Sequence, residues 1–207
     1  VRAYAVGLSR NLAAIGIQII ELESLSYMGF GHAHYHSKFG IDFGGAQALF
    51  SFCLCQDCRK KGADSDIDID RMESQIQKEL DDIFQTGKTD TDLEQYLEKI
   101  EGLEKFIQVR QSVISSLLQE IKDAVDIELN FILMGNNITS GFAPKIINQI
   151  SDKVEILAYT SSTSQMEDMI RGKYQEIGNR EKLVVGYSVY GSSTPNAETL
   201  YNNVRVA

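Results

Sequence analysis

The chain is short of basic residues, of cysteines and of long apolar runs, and each shortage removes a class of function. Only 20 Lys and Arg stand against 29 Asp and Glu, a formal charge of -9. A phosphate-reading surface needs a basic patch, so nucleic acid and anionic membrane are excluded as expected partners. No run approaches the roughly 18 apolar residues of a membrane span, and the first residues show no charged segment leading into an apolar one. The three cysteines are odd in number and clustered at positions 53, 55 and 58. That pattern disfavours a secreted disulfide framework and points to a reducing, cytoplasmic compartment. Neither Gly-x-Gly-x-x-Gly nor a P-loop is present, so no nucleotide cofactor is expected.

What is there is 207 residues with 43% hydrophobic and 24% charged content, enough for a buried core in an ordinary globular chain. The first residue is Val1, and both ends stop inside helical patterns. The expectation is a piece cut from a longer protein.

The run from Ile17 to Lys38 organises the rest. It begins β-branched, acquires Glu21 and Glu23, and enters a glycine-flanked loop holding all three histidines, His32, His34 and His36. The two-residue strand period puts Ile17, Ile19, Glu21 and Glu23 on one face. Before it, apolar residues at helical spacing over 2–14 end at Gly16, a natural stop. After the loop, a helix is expected from Gly45 or Ala46 through Phe50, Phe52 and Cys53 to Arg59, Lys60 and Lys61 before Gly62.

Residues 64–69 alternate Asp with small or apolar residues, but the places where an EF-hand needs Gly and Glu hold Ile69 and Gln75. An acidic approach to a helix is the better reading. From 70 to 124 the pattern is helical: Met72, Ile76, Leu80 and Ile83 form one stripe, Gly87 breaks it, and Thr91 with Glu94 makes a capping-box signature for a second helix. That helix is expected to run without interruption, its stripe extending from Leu93 through Tyr96, Ile100, Phe106 and Leu117 to Ile121. Strands are then expected at 127–134, 154–160 and 182–190, with helices at 142–151 and 165–177 and a last one opening after Pro195. Strand and helix alternating on short links imply a parallel sheet.

The fold class expected is therefore α/β: a partial (β/α)8 TIM-barrel-like parallel sheet with a long helical insertion, an open doubly wound sheet being second choice. Residues 1–63 would form the first βα units with the His-rich loop, 64–125 the helical hairpin insertion, and 126–207 later units of the same barrel. In such a barrel the site lies at the C-terminal strand ends. This selects Glu21, Glu23, Tyr27, Lys38, Asn136, Tyr159, Tyr187 and Tyr190 beside the histidines. Carboxylates, amides, hydroxyls and aromatic faces suit a neutral polyol, a small molecule or an oligosaccharide.

The acidic strand end, the His-x-His-x-His-x-Lys loop at 32–38, the Phe-Cys-Leu-Cys-x-x-Cys stretch at 52–58 and the late Val-Gly-Tyr-Ser strand at 185–188 together resemble uncharacterised bacterial proteins related to the TIM-barrel glycoside hydrolases. The resemblance implies a general acid/base and a second carboxylate on different strands. Glu21 or Glu23 would be the acid/base; its partner is either the other of the pair or lies outside this chain. Tyr27, His32, His34, His36, Lys38, Asn136, Tyr159, Tyr187 and Tyr190 would bind substrate, with no cofactor. Two alternatives remain open: a metal-dependent hydrolase using His32, His34 and His36, and a non-catalytic carbohydrate-binding or interaction protein. Zinc at the cysteines is the lesser reading there, since a structural site normally adds a second ligand pair; small side chains packing the helix onto the barrel are preferred.

Overall fold

The computed structural model describes residues 1–29, 44–87 and 93–207. In chain order the elements are α1 (Arg2–Ala14), β1 (Ile19–Leu22), a 3-10 helix (Gly44–Ser51), α2 (Gln56–Ala63), α3 (Ile69–Thr86), α4 (Leu93–Lys99), α5 (Leu103–Ala124), β2 (Glu128–Leu133), α6 (Asn137–Ser140), α7 (Pro144–Ile150), β3 (Lys153–Leu157), α8 (Thr163–Ile177), β4 (Leu183–Gly186) and α9 (Ala197–Val206). They fall into two units: one of residues 1–25, 115–134 and 143–207, the other of residues 26–114 and 135–142. Among the described residues no helix is long and apolar enough to cross a membrane.

The first unit is built on a four-stranded parallel sheet in the order β1-β2-β3-β4. Spatial order follows chain order without reversal. Right-handed crossovers taken in the same direction put the helices that link β2 to β3 and β3 to β4 on one side of the sheet. The register shows which side. Ile20 and Leu22, Leu129, Phe131 and Leu133, and Val154 and Ile156 share one face, and all seven are buried. This is the helix-covered face, with α7 against β3 and α8 against β4. Ile147 of α7 and Met166 of α8 are fully buried within the same unit.

The opposite face carries Ile19 and Glu21 on β1, Glu128, Asn130 and Ile132 on β2, Lys153, Glu155 and Leu157 on β3, and Val184 and Gly186 on β4. Parallel strands buried on both faces read as continuous apolar runs. Here one face interleaves Glu, Asn and Lys, and Ile19 is 52% exposed. Asp152 ties the foot of this sheet together: its carboxylate accepts from the Leu129 N–H at 2.8 Å and from Lys122 Nζ at 2.6 Å.

The second unit has its own apolar core. The stripe of α3, Met72, Ile76 and Ile83, packs with Tyr96, Ile100, Leu103, Phe106 and Ile107, with Ala46 and Leu49 from the 3-10 helix, and with Phe52 just after it. Asp68 caps α3 by accepting from the Arg71 N–H, and Gly87 closes it in the left-handed conformation. The acidic run 64–69 is thus a helix approach. α2 meets α3 across Gly62, where a Cβ would stand 2.2 Å from Ile69 Cδ1.

Several expectations need correction. The helix expected from 45 or 46 to 61 is two pieces, the 3-10 helix to Ser51 and α2 from Gln56, separated by an extended stretch through Cys53. The helix expected from Leu93 to Ile121 breaks at Gly102, whose φ of +82° lies in the left-handed region. The helix expected over 142–151 is α7 alone, with Pro144 in its first turn and the short α6 before it. The expected strands 154–160 and 182–190 end earlier, at Leu157 and Gly186. α8 is capped by Ser162, which accepts from the Gln165 N–H.

Candidate functional site

The polar sheet face of the first unit converges on Glu155, in the middle of β3. Its Oε2 accepts from Asn130 Nδ2 at 2.6 Å. Its Oε1 lies toward β4, where a Cβ at position 186 would stand 2.6 Å away. Gly186 leaves room for that oxygen, and the carboxylate spans from β2 to β4. Asn130 is 6% exposed, and its Oδ1 finds no hydrogen-bond partner among the described residues. A buried amide oxygen without a donor is costly.

Glu21 pairs in register with Asn130. Glu23 follows Leu22, the last residue of β1, and lies in the turn that leaves the strand. β2 stands between β1 and β3, so two strand spacings, about 10 Å, separate the strands that carry Glu21 and Glu155. Both Glu21 and Glu23 are exposed. Directly after Glu23 the chain turns through Ser24, a non-glycine residue at φ 60°; such conformations carry strain and concentrate at functional sites.

Tyr159, two residues past β3, joins this group. Burial raises its phenol above the ordinary value, and the charges of Glu155, Tyr190 and Glu23 add to the shift in that order. Tyr159 is 52% and Tyr190 79% exposed. Glu23, Glu155, Tyr159 and Tyr190 therefore share one electrostatic neighbourhood at the C-terminal end of the sheet. Tyr187 is otherwise engaged: its hydroxyl donates to the Asn203 carbonyl at 3.0 Å, and buried Asn203 donates to the Thr160 carbonyl at 2.8 Å. This ties α9 to the ends of β3 and β4, and burial raises the Tyr187 phenol.

Tyr27 and Asn136 belong to the second unit. Asn136 caps α6, its Oδ1 accepting from Ile138 and Thr139 N–H groups. Tyr27 lies against Arg110, with the guanidinium 4.0 Å from the ring centroid. His32, His34, His36 and Lys38 lie outside the described residues, as does Thr91.

Arg110 is 1% exposed. It donates to the Ser51 carbonyl at 3.3 Å and to the Thr139 carbonyl at 2.5 Å, and Phe52 lies 5.2 Å away on centroid distance. Its Nε has no hydrogen-bond partner among the described residues. Burial lowers its pKa; Tyr27, Cys58 and Cys53 are the groups whose charge opposes that. Those cysteines form a cluster with Cys55, all three sulfurs lying within 4.8 Å of one another. Cys55 stands at the N-cap of α2 and its thiol is lowered, first by a hydrogen bond from the Cys58 backbone. Burial, then Cys55 and Cys53, pushes Cys58 up to about 12.

Glu155, Asn130 and Arg110 are absent from the expected site. A carboxylate in mid-strand between Val154 and Ile156, and an arginine spaced four from Phe106 on an apolar stripe, were the available signals. A scan against family models, a search of curated proteins and a search of solved structures each return no match.

Proposed function

We propose that the sheet is an arc of a (β/α)8 barrel and that the chain is a glycoside hydrolase-like protein acting on a carbohydrate at the C-terminal mouth of that barrel. The observation that carries this reading is the placement of carboxylates on two strands, Glu155 on β3 opposite Glu21 and Glu23 at β1, around the unpartnered Asn130 Oδ1. Strictly sequential strand order supports the barrel, since a doubly wound sheet reverses its order at a switch point.

Glycoside hydrolysis needs one carboxylic acid to protonate the leaving oxygen and a second carboxylate either to attack the anomeric carbon or to activate water. Glu155, held by Asn130 against the cradle at Gly186, is the fixed member. Glu23 or Glu21, exposed at the end of β1 two strands away, is its partner and the acid/base. The Tyr159 and Tyr190 rings offer faces for a sugar ring, and Asn130 Oδ1 accepts from a sugar hydroxyl. Backbones about 10 Å apart leave room for the carboxyl separations of either stereochemical course.

A panel of aryl glycosides and oligosaccharides tests this. Hydrolysis is expected, with kcat in Glu155→Gln lowered by about 10²- to 10⁴-fold and saccharide binding retained. Saccharide binding without turnover in the parent would leave a carbohydrate-binding protein and sink the hydrolase half. Absence of both would sink the whole.

A further inference from the structure

We propose that Cys53, Cys55 and Cys58 form a three-thiolate site for a zinc ion, with a fourth position filled by water or an exogenous ligand. Three sulfurs mutually within 4.8 Å are close to the arrangement a tetrahedral zinc requires, since Zn–S bonds of about 2.3 Å set sulfurs about 3.8 Å apart. Small rotamer changes close the difference. The backbone presents all three: Cys53 from the extended stretch before α2, Cys55 from its N-cap and Cys58 from its first turn. Cys53 and Cys55 are exposed and Cys58 is buried, so an ion has access from solvent and an anchor in the core.

The second, independent observation is Arg110. Its buried guanidinium has two carbonyl acceptors, two aromatic rings and an unpartnered Nε. Carbonyl dipoles and ring faces leave a buried cation short of a full counter-charge. Three neutral thiols supply none. Three thiolates around Zn²⁺ carry a net charge of -1, and Cys58 and Cys53 are the cysteines in whose field Arg110 lies. Loading the site releases the thiol protons to solvent and gives the arginine a counter-ion. Among the described residues no further His, Cys, Asp or Glu joins the cluster, and the fourth position is assigned to water or an exogenous ligand. A site of this kind pins the extended stretch 52–55 to α2, so metal binding and local folding are coupled.

The test uses the whole chain, reduced with a phosphine and stripped by chelator, then titrated with Co²⁺ and afterwards with Zn²⁺. One equivalent of cobalt is expected to raise an intense thiolate-to-cobalt charge-transfer band, which one equivalent of zinc abolishes. The band should be lost in Cys53→Ser and in Cys55→Ser, both exposed positions where folding is retained, and kept when His32, His34 and His36 are all changed to Ala. No band in the reduced parent, or one that survives each cysteine substitution, overturns the proposal. The parent titration needs no variant and remains decisive if a substituted chain fails to fold.

Discussion

Replacing Arg110 by Met keeps an unbranched stem, shorter than that of arginine, and removes the charge and the donors. Two charge-assisted hydrogen bonds, to Ser51 and Thr139 carbonyls, are worth about 1.5–3 kcal/mol each. The desolvated stacking on Tyr27 adds about 2 kcal/mol. Against this gross loss of about 5–8 kcal/mol stands the relief of no longer burying a cation, which returns several kcal/mol. The net expectation is a destabilisation of about 2–3 kcal/mol, or about 1 M in urea midpoint at an unchanged slope of about 2–3 kcal/mol/M. Arg110→Lys should be no better than Met, because an ammonium is a compact point charge without the planar fork that stacks on the Tyr27 ring, and its charge stays buried. Urea unfolding followed by circular dichroism reads both. A Met variant as stable as the parent, or a Lys variant equal to Arg, would refute the reasoning that geometry and not charge alone holds this residue.

Two further outcomes follow from single contacts. Gly186→Ala places a Cβ 2.6 Å from Glu155 Oε1 and 3.0 Å from Leu157 Cδ2; both side chains must shift, so the thermal midpoint should fall modestly while any glycosidase rate falls at least tenfold. A lost fold, or an unchanged rate, would count against the cradle at position 186. Asp152 is held below the usual carboxylate range: burial opposes the shift, but the Lys122 and Leu129 hydrogen bonds and the Lys122 and Lys182 charges outweigh it. A depressed folded-state value means stability that is full above the unfolded pKa, near pH 4, and lost as pH falls through the folded one. Urea midpoints from pH 7 to 2 should therefore drop at the acid end in the parent, and less steeply in Asp152→Asn. Equal slopes would contradict the assignment.

Much of the parallel sheet could be read from the chain because apolar β-branched runs alternate with capped helical stripes, and the Ile19 and Glu21 face follows from the two-residue period, while Glu23, expected on the same strand, lies in the turn after it. Local backbone signals were harder. Gly102 breaks a stripe whose apolar spacing continues on both sides of it, so periodicity alone joined α4 to α5. The stretch at 52–55 looked helical because its residues are apolar and small, yet Cys55 serves as an N-cap. Asn136 at a strand end reads equally as a ligand contact or a cap, and only the Ile138 and Thr139 N–H groups decide it. Glu155 was hidden by its apolar neighbours: its partners, Asn130 and Gly186, sit on strands far away in sequence, and no local pattern brings them together.

The central claim is that Glu155 and a glutamate at the end of β1 act as a pair across the polar face. Chemical rescue tests it most directly. Glu155→Ala and Glu23→Ala are assayed with an activated aryl glycoside, with and without azide, a small anion that can replace a missing carboxylate. The account predicts that both variants lose turnover and that azide restores it in at least one, with a glycosyl azide as product. Turnover undiminished in both variants, or lost in both with no recovery, would contradict it.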